Sequence, residues 1–417
     1  MIINHVVANI ISSAEILRKS EEFQNLRLLV ITNRDDFEVK YKKYLPELEV
    51  IHCDFQDIDS LKLRLKPYLN KISGVICRGD RHIQYLRQVV PILPDSVPIA
   101  SAMSLEKSTN KLLMRQSFAK NYPEITPKAI LVDNSSDKAL EFIENQIGYQ
   151  VVLKPANLFS SLLITICSNR SELKRALVNI FAQIDELYQK RDIHEQPLVI
   201  AEEYLEGDFY SIDAYVMQKG EFFFCPPVAY IPAKQLGVDD FFLYKRFVPT
   251  RLSATEIDNG NEAVRKALVS VGLEHSSAHV ELVLTKNGWK IIEIGPRLGR
   301  FRHMMYELGY GINHSLNDIK IHLGLKPEIP KNLTNYCSAY SIYATKEGIL
   351  KKIHGISELK ATQEIKSLKI YAKPGNQVKF AKNGGHAITE FVLSSNNPEH
   401  FSKLTSLLEE KVYAEID

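Results

Sequence analysis

Hydrophobic and polar positions follow two different periods along the first hundred residues. Short apolar runs predict strands at Arg27–Thr32, Leu48–His52 and Gly74–Arg78, and helical patterns cover Ser12–Phe23 and Asp57–Leu69. This order of elements predicts a small open α/β sheet that is largely parallel. No G-x-G-x-x-G segment follows any of these strands, which argues against a dinucleotide site of the usual kind.

Residues 101–121 have the pattern of one polar helix. One face of that helix carries three basic residues at a spacing of four: Lys107, Lys111 and Arg115. A solvated basic face is the usual explanation for such a stripe. Pro123 and Pro127 then interrupt the chain and predict a domain boundary.

The pattern restarts at residue 128. The predicted strands are Lys128–Val132, Tyr149–Pro155, Leu162–Cys167, Pro197–Leu205, Asp208–Val216 and Glu221–Tyr230. The predicted helices are Asp137–Asn145, Ser171–Gln189 with Ser171 as its N-cap, Thr255–Val271 and Asn313–Leu323. Residues 231–253 show little periodicity, and a connection of that length is more often functional than idle. Residues 334–417 have the pattern of an α+β segment with strands near Tyr340, Ile370 and Phe391.

The stretch Ser276–Arg297 has the alternation of a β-hairpin around Asn287-Gly288. A two-residue loop, Asn287-Gly288, would pair Glu281 with Ile294. A three-residue loop that begins at Lys286, with Gly288 as a bulge, pairs Glu281 with Glu293 instead. The length of the loop therefore decides whether two carboxylates face each other.

Two facing carboxylates repel each other unless a cation lies between them. Oxygen ligands without a nearby cysteine favour Mg²⁺ shared with a phosphate, with Mn²⁺ as an alternative ion. A plain surface hairpin with two solvated glutamates is the competing interpretation. Arg297, just beyond Glu293, favours the first interpretation, because an arginine there could hold a phosphate oxygen.

Composition narrows the class of protein. The hydrophobic fraction of 45% and the charged fraction of 24% are those of a soluble globular protein, and 417 residues predict two or three domains. The net charge of +2 gives no support to a nucleic-acid partner or an anionic membrane. Five scattered cysteines, no apolar run of membrane-spanning length and no signal-peptide pattern predict a cytoplasmic protein with reduced thiols.

The order of these elements resembles the ATP-grasp superfamily, and within it the carboxylate–amine ligases that form dipeptides from amino acids. The resemblance rests on Lys111, Lys154-Pro155, the E-E-Y-L segment 202–205, His279-x-Glu281 and Glu293-x-x-Pro-Arg297. It implies an ATP-grasp fold in three parts: an N-terminal parallel α/β domain at 1–105, an ATP-grasp domain at 106–330 and a small C-terminal α+β domain at 331–417. Within the second part, a lid subdomain would cover about 125–205 and the main sheet about 206–330.

The resemblance also implies roles for single residues. Lys111 and Lys154 resemble the lysines that hold the nucleotide phosphates, and the backbone of Glu203 and Leu205 would bracket adenine, with Glu202 and Tyr204 beside it. Glu281 and Glu293 resemble the Mg²⁺ ligands. Arg297 resembles the arginine that stabilises the transferring phosphoryl group or the acyl phosphate, so Arg297 and Lys154 are the catalytic candidates.

Three positions depart from the family pattern. The loop after Lys154 has no glycine, so Ser160 and Ser161 are the candidates for cradling phosphate. The usual ribose-binding glutamate falls at Phe209, which leaves Asp208 as a substitute. Gly295 stands where many members carry an asparagine that binds a second Mg²⁺ ion.

The implied reaction activates a carboxylate as an acyl phosphate and couples it to an amine, with release of ADP and phosphate. The substrates would be an amine and an acid, the acid being an amino acid or another small polar acid, or a peptide. A homodimer is compatible with the sequence. The substrate candidates are His279, Arg300, Arg302, Tyr230 and Lys245, with His303 and Arg246 as further basic neighbours. The alternatives are an ATP-grasp enzyme that acts on a peptide or forms a thioester, and a nucleotide-binding module without turnover.

Overall fold

The computed structural model of the chain describes residues 2–4, 15–17, 19–33, 49–158 and 162–417. An N-terminal sheet contains four strands: β1 (Ile2–Asn4), β2 (Leu28–Thr32), β3 (Glu49–His52) and β4 (Gly74–Ile76). Their order is β3-β2-β1-β4 and every pairing is parallel, which confirms the prediction for this sheet.

Among the described residues, the N-terminal part contains the helices α1 (Ile58–Leu65) and α2 (Asp80–Val89). Asp57 caps α1 by accepting a hydrogen bond from the Ser60 amide. Most of the helix predicted at Ser12–Phe23 lies outside the described residues or in turns.

The single helix predicted over 101–121 is wrong, because the chain forms α3 (Ala102–Thr109) and α4 (Lys111–Asn121). Asn110 lies between them in an extended conformation, and its side chain caps α4 by accepting bonds from the Leu112 and Leu113 amides. The break buries Lys111 and Arg115, so the prediction of a solvated basic face is also wrong.

A second, antiparallel sheet has the strand order β5-β8-β6-β7. Its strands are β5 (Ala129–Val132), β6 (Val151–Pro155), β7 (Thr165–Cys167) and β8 (Val199–Glu203). Helices α5 (Asp137–Gln146) and α6 (Arg170–Lys190) pack on it and share one apolar core with it. The N-cap of α6 is Asn169 rather than Ser171, since the Asn169 side chain accepts the bond from the Glu172 amide.

The main sheet is antiparallel along the path β14-β13-β9-β11-β12-β15-β19-β17, with β10 paired to β9. Its strands are β9 (Asp208–Val216), β10 (Phe222–Phe224), β11 (Val228–Pro232), β12 (Leu243–Val248), β13 (Ser276–Thr285), β14 (Gly288–Gly295), β15 (Tyr336–Ile342), β17 (Ile365–Ile370) and β19 (Thr389–Ser395). Strand β12 lies inside the supposedly irregular connection 231–253. Its adjacent charges, Lys245 and Arg246, hide the alternation because both are buried, one on each face of the sheet.

Helices cover this sheet, and a fourth, small sheet lies near the C-terminal end. The helices are α7 (Ala254–Val271), α8 (Arg302–Tyr310), α9 (His314–His322), α10 (Ile356–Ala361) and α11 (Pro398–Lys411). The small sheet has the order β18-β16-β20 and contains β16 (Gly348–Ile353), β18 (Gln377–Val378) and β20 (Ala414–Ile416). Strands β15, β17 and β19, all beyond residue 330, therefore continue the main sheet.

The β13–β14 hairpin pairs Glu281 directly with Glu293, as the three-residue loop predicted. The loop itself is different, because Thr285 pairs with Gly288 and only two residues lie between them. The register then shifts by one residue, since Leu282 pairs with Ile291 and Ile292 forms a bulge. The predicted pairing is thus confirmed, and the predicted cause is wrong.

The five cysteines are free and buried, as expected for reduced thiols. A buried ion pair joins the N-terminal sheet to the main domain, with Arg78 Nε 2.6 Å from Asp318 Oδ2. No helix among the described residues is long and apolar enough to cross a membrane.

Candidate active site

One large cavity, with a volume of about 1170 Å³, is lined by residues from the N-terminal part, the second sheet and the main sheet. The predicted site residues that line it are Lys111, Lys154, Glu202, Glu203, Tyr204, Leu205, Tyr230, His279, Glu281, Glu293, Arg297 and Arg300. Helices α2 and α4 contribute one wall, β6 and β8 a second, and the β13–β14 hairpin the floor. The structure therefore gathers predicted residues that are up to 189 positions apart (111 to 300) around a single space.

Glu281 and Glu293 form the acidic centre of this space. They pair across the hairpin, so both carboxylates lie on the same face of the sheet, and both line the cavity. Burial opposes ionisation of Glu281, but a hydrogen bond and the charge of His279 bring the pKa of its carboxyl below the usual value.

This donor set fits a hard divalent cation that takes only part of its coordination from protein. No group of three or more metal-ligating side chains occurs among the described residues. Two carboxylates are nevertheless what Mg²⁺ commonly takes from protein when phosphate and water supply its other ligands. The charged form of Glu281 suits such a role.

Lys111 lies beside the acidic centre at the first turn of α4. Its Nζ donates to the Leu158 carbonyl at 2.8 Å and lies 3.6 Å from Glu293 Oε2. Its backbone amide donates to the Ala156 carbonyl, which joins α4 to the loop after β6. The ammonium group is thereby fixed between that loop and the hairpin.

Lys154 belongs to a buried cluster of charges with Glu202 and Arg115. Lys154 Nζ lies 2.5 Å from Glu202 Oε2, and Arg115 Nε donates to Glu202 Oε1 at 2.8 Å. Burial lowers the pKa of Lys154 to about 8, although the Glu202 carboxylate acts in the opposite direction. Arg115 Nη2 also donates to the carbonyl of Ile292, at 2.5 Å. The bulge in the hairpin thus gives Arg115 a bonding partner.

The segment 203–205 begins at the last residue of β8 and runs along the cavity wall. The Glu203 amide donates to the Lys128 carbonyl and the Tyr204 amide to the Gln150 carbonyl, so the backbone is held from both sides. Lys234 Nζ lies 4.9 Å from the centre of the Tyr204 ring and closes this end of the cavity.

Arg297 is fixed by an acid that comes from the N-terminal part. Its Nε and Nη2 each donate to one oxygen of Asp80 at 2.7 Å, a bidentate contact. Burial disfavours the charge, but the Asp80 carboxylate keeps the pKa of Arg297 above its usual value. A Cβ atom at Gly295 would lie 3.2 Å from Arg297 Cζ, so the glycine at this position lets the guanidinium group pack closely.

Below the acidic centre, Asp213 organises a buried polar network. His279 Nδ1 donates to Asp213 Oδ1 at 2.7 Å, and its Nε2 lies 3.3 Å from Glu281 Oε1. His314 and the Gly299 amide bond to the other oxygen of Asp213. Burial opposes the charge of Asp213, but His279 and His314 keep the pKa of its carboxyl well below the usual range. This network fixes the imidazole that contacts Glu281.

The remaining predicted residues lie elsewhere. Arg302 is fully buried under the cavity, where its Nη2 donates to Tyr230 Oη at 2.6 Å. Lys245 points away from the cavity and pairs with Glu409 at 2.8 Å. Asp208 begins β9 outside the lining, and Ser160 and Ser161 lie outside the described residues. The structure thus does not bring Arg302, Lys245 or Asp208 to the cavity.

Sequence reasoning missed Asp213, predicted Arg115 on a solvated face, and named Arg246 only as a basic neighbour of the substrate candidates. Arg78-Gly-Asp80 ends a parallel strand, which was a usable signal because ligand crevices lie at such ends. Arg115 lies one helical turn after Lys111 and was predicted on the same face, but that face is buried rather than solvated. Nothing in the sequence distinguished Asp213 from an ordinary strand residue.

Comparison with known proteins agrees with this geometry. Residues 147–303 match the family model of an ATP-grasp domain. Alanine–anticapsin ligase of Bacillus subtilis is 26% identical over 200 residues, which cover 45% of this chain and 40% of the relative. D-Alanine–D-alanine ligase of Listeria welshimeri is 29% identical over 158 residues, which cover 37% and 40% of the two chains.

The likeness extends to whole structures. The L-amino acid ligase of Bacillus licheniformis superposes with a TM-score of 0.78 at 19% identity and covers 100% of this chain and 98% of its own. This agreement shows that the two chains share a fold. The chain spans about half the length of the curated relatives it matches.

We expect the Glu202→Gln substitution to lower the free energy of unfolding by about 3–5 kcal/mol, because it leaves two buried cations with only a neutral partner. Glu203→Gln is the matched control, since Glu203 is the next residue along β8 and is exposed. We expect less than about 1 kcal/mol from that change. Denaturant unfolding of both variants would measure the difference, and equal losses would mean that the Glu202 cluster does not stabilise the fold.

Proposed function

Because this chain carries an ATP-grasp domain, we propose that it is a ligase that uses ATP to activate a carboxylate and couples it to an amine. The observation that carries this proposal is the directly paired Glu281 and Glu293, with Lys111 and Arg297 beside them in one cavity. The relatives support it as well, because two of them are named as ligases of alanine.

In this proposal ATP occupies the end of the cavity between the two antiparallel sheets. Adenine lies against the backbone of 203–205, which the Lys128 and Gln150 carbonyls hold in place. Lys111 and Lys154 bind the phosphates, and their burial supports this role because water competes less for an ammonium group there. Ser160 and Ser161 remain candidates for additional phosphate contacts.

Glu281 and Glu293 would hold Mg²⁺ against the phosphates. The ion would neutralise phosphate charge and orient the terminal phosphoryl group. His279 keeps Glu281 in position through the bond to Asp213. Gly295 adds no side-chain ligand, so the protein contributes two carboxylates.

The chemistry would then proceed in two steps. An oxygen of the substrate carboxylate attacks the γ-phosphorus, the bond to the bridging oxygen breaks, and ADP leaves as the acyl phosphate forms. The amine next attacks the acyl carbon, inorganic phosphate leaves, and the nitrogen loses a proton. Arg297 would stabilise the charge that develops on the phosphoryl oxygens, and Asp80 fixes its plane for that purpose.

The experiment that tests this function is ADP release from Mg-ATP with a panel of amino acids and amino acid pairs, with hydroxylamine as a trap. ADP and a hydroxamate that appear together with one acid would support acyl-phosphate chemistry and identify that acid. ATP binding without release of ADP across the panel would favour a peptide or carrier-bound acid. Absence of ATP binding would contradict the proposal.

We expect Glu293→Gln to abolish ADP release while the protein stays folded, because a neutral amide is a poor ligand for Mg²⁺. Thermal melting would verify the fold, and steady-state ADP release would measure activity. Glu262→Gln, on the exposed face of α7, is the control and should behave like the wild type. Normal turnover by Glu293→Gln would refute the role of the acidic pair.

We also expect the affinity for ADP to fall as the pH rises through about 8, because Lys154 has a pKa of about 8 and only its protonated form attracts phosphate. Between pH 7 and 9 the protonated fraction falls about tenfold, and the dissociation constant should rise by a similar factor. Calorimetry at several pH values would measure this change. Lys154→Arg keeps its charge over that range, so an equal pH dependence in this variant would exclude Lys154 as the cause.

A further inference from the structure

Arg246 on β12 is a buried cation in the cavity wall, with no ion-pair partner in the part of the chain that the structure describes. Arg246 is only 8% exposed to solvent, and it lines the cavity. Its Nη1 donates to the Leu243 carbonyl at 3.1 Å and to Ser341 Oγ at 3.2 Å. No carboxylate of the described residues lies within 4.0 Å of its nitrogens.

The other buried arginines and lysines of the cavity wall differ from Arg246 in this respect. Each has a carboxylate oxygen within 3.6 Å: Arg78 with Asp318, Lys111 with Glu293, and Arg115 and Lys154 with Glu202. Removing a charge from water is costly unless an opposite charge compensates it. The charge of Arg246 acts on the Glu281 carboxyl and lowers its pKa, but no carboxylate of the described residues forms a direct ion pair with Arg246, so its guanidinium group is available to a ligand.

The surroundings of Arg246 add to this imbalance. Burial lowers its pKa to about 10, and the charges of Arg302 and Arg300 act in the same direction, yet it stays protonated at neutral pH. Arg246 and Arg300 both lie over the ring of Phe301, with their Cζ atoms 5.2 and 5.4 Å from its centre. Phe301 has a left-handed backbone with a φ of 62°. Such strain is found at functional sites when the surrounding structure enforces it.

Two residues of the C-terminal strands fix this pair of arginines. Ser341 on β15 accepts from Arg246 and donates to Glu390 Oε1 at 3.1 Å. Glu390 on β19 in turn lies 2.5 Å from Arg300 Nη2. This group of two arginines and one glutamate carries a net charge of +1, and its two arginines line the cavity.

We propose that Arg246, together with Arg300, binds an anionic group of the acid substrate other than the carboxylate that is phosphorylated. This inference rests on the proposed function and adds a substrate class to it: an acid with a second negative group, such as a dicarboxylate. The carboxylate that is phosphorylated would have other partners, namely Arg297 and the cation held by Glu281 and Glu293. Lys111 and Lys154 would bind the phosphates of ATP.

The test compares acids of equal size that differ by one charge. The pairs are L-glutamate and L-glutamine, L-aspartate and L-asparagine, and succinate and succinamate, each with Mg-ATP and with hydroxylamine as the amine. We expect the doubly anionic member of the preferred pair to have a KM lower by about tenfold or more. Arg246→Gln should remove this preference by raising the KM for the doubly anionic acid alone, and Arg246→Lys should restore part of it.

Lys245→Gln is the matched control. Lys245 is the neighbouring residue of the same strand, points to the other face and pairs with Glu409. The Lys245→Gln substitution should change the KM for each acid by less than about twofold. The KM for ATP should stay constant in all variants, and melting temperatures would confirm that each variant is folded.

The other outcomes overturn the inference. Equal KM values within the pairs for the wild type would exclude a second anionic group. If Arg246→Gln raised the KM for both acids of a pair equally, Arg246 would bind the carboxylate that reacts. If the substitution raised the KM for ATP, Arg246 would bind the nucleotide.

A failure of the proposed function gives a different result. If no acid releases ADP, calorimetry of L-glutamate and L-glutamine with the Mg-ADP-bound protein tests Arg246 directly. Preferential binding of L-glutamate that Arg246→Gln abolishes would uphold the anion site without the ligase reaction. Absence of such a preference would overturn both.

Discussion

The register of the β13–β14 hairpin depends on a single extra residue, Ile292. If Ile292 were paired regularly instead of bulged, Glu281 would pair with Ile292, and Glu293 would point to the opposite face of the sheet. The bulge also leaves the Ile292 carbonyl outside the regular ladder, and Arg115 uses it as an acceptor. Because Arg115 also holds Glu202, and Glu202 holds Lys154, one irregularity in a strand fixes the relative positions of the acidic pair and a buried lysine.

The cavity is assembled from charges that come from separate parts of the chain. Asp80 of the N-terminal part holds Arg297 of the main sheet, and Glu202 of the second sheet holds Arg115 of helix α4. In a low-dielectric interior such pairs add little net stability, but removing one partner is costly. Their main effect here is therefore geometric, since each pair fixes the direction of a side chain that lines the cavity.

The sequence was sufficient for features that depend on local patterns. Alternation of apolar residues identified most strands, and the resemblance of 111–297 to a known family identified the residues that surround the cavity. It was insufficient where a local pattern was interrupted by burial of charge. Strand β12 was missed because Lys245 and Arg246 look like surface residues, and Arg302 was predicted to contact substrate although helix α8 buries it completely.

The same limit explains the error in the hairpin. A charge argument predicts which residues must face each other, but it does not determine whether a longer loop or a bulge brings them together. The partners of Arg297 and His279 were also beyond reach, since Asp80 and Asp213 are 217 and 66 positions away. Pairing over such distances depends on the complete fold.

The continuity of the main sheet beyond residue 330 has a consequence for how the chain can be divided. Strand β12 is covered on one edge by β11 and on the other by β15, so removal of the C-terminal segment would leave its backbone donors and acceptors without partners. It would also remove Ser341 and Glu390 from the wall that carries Arg246 and Arg300. The C-terminal segment is therefore not a detachable module, and a transplanted catalytic core would have to include it.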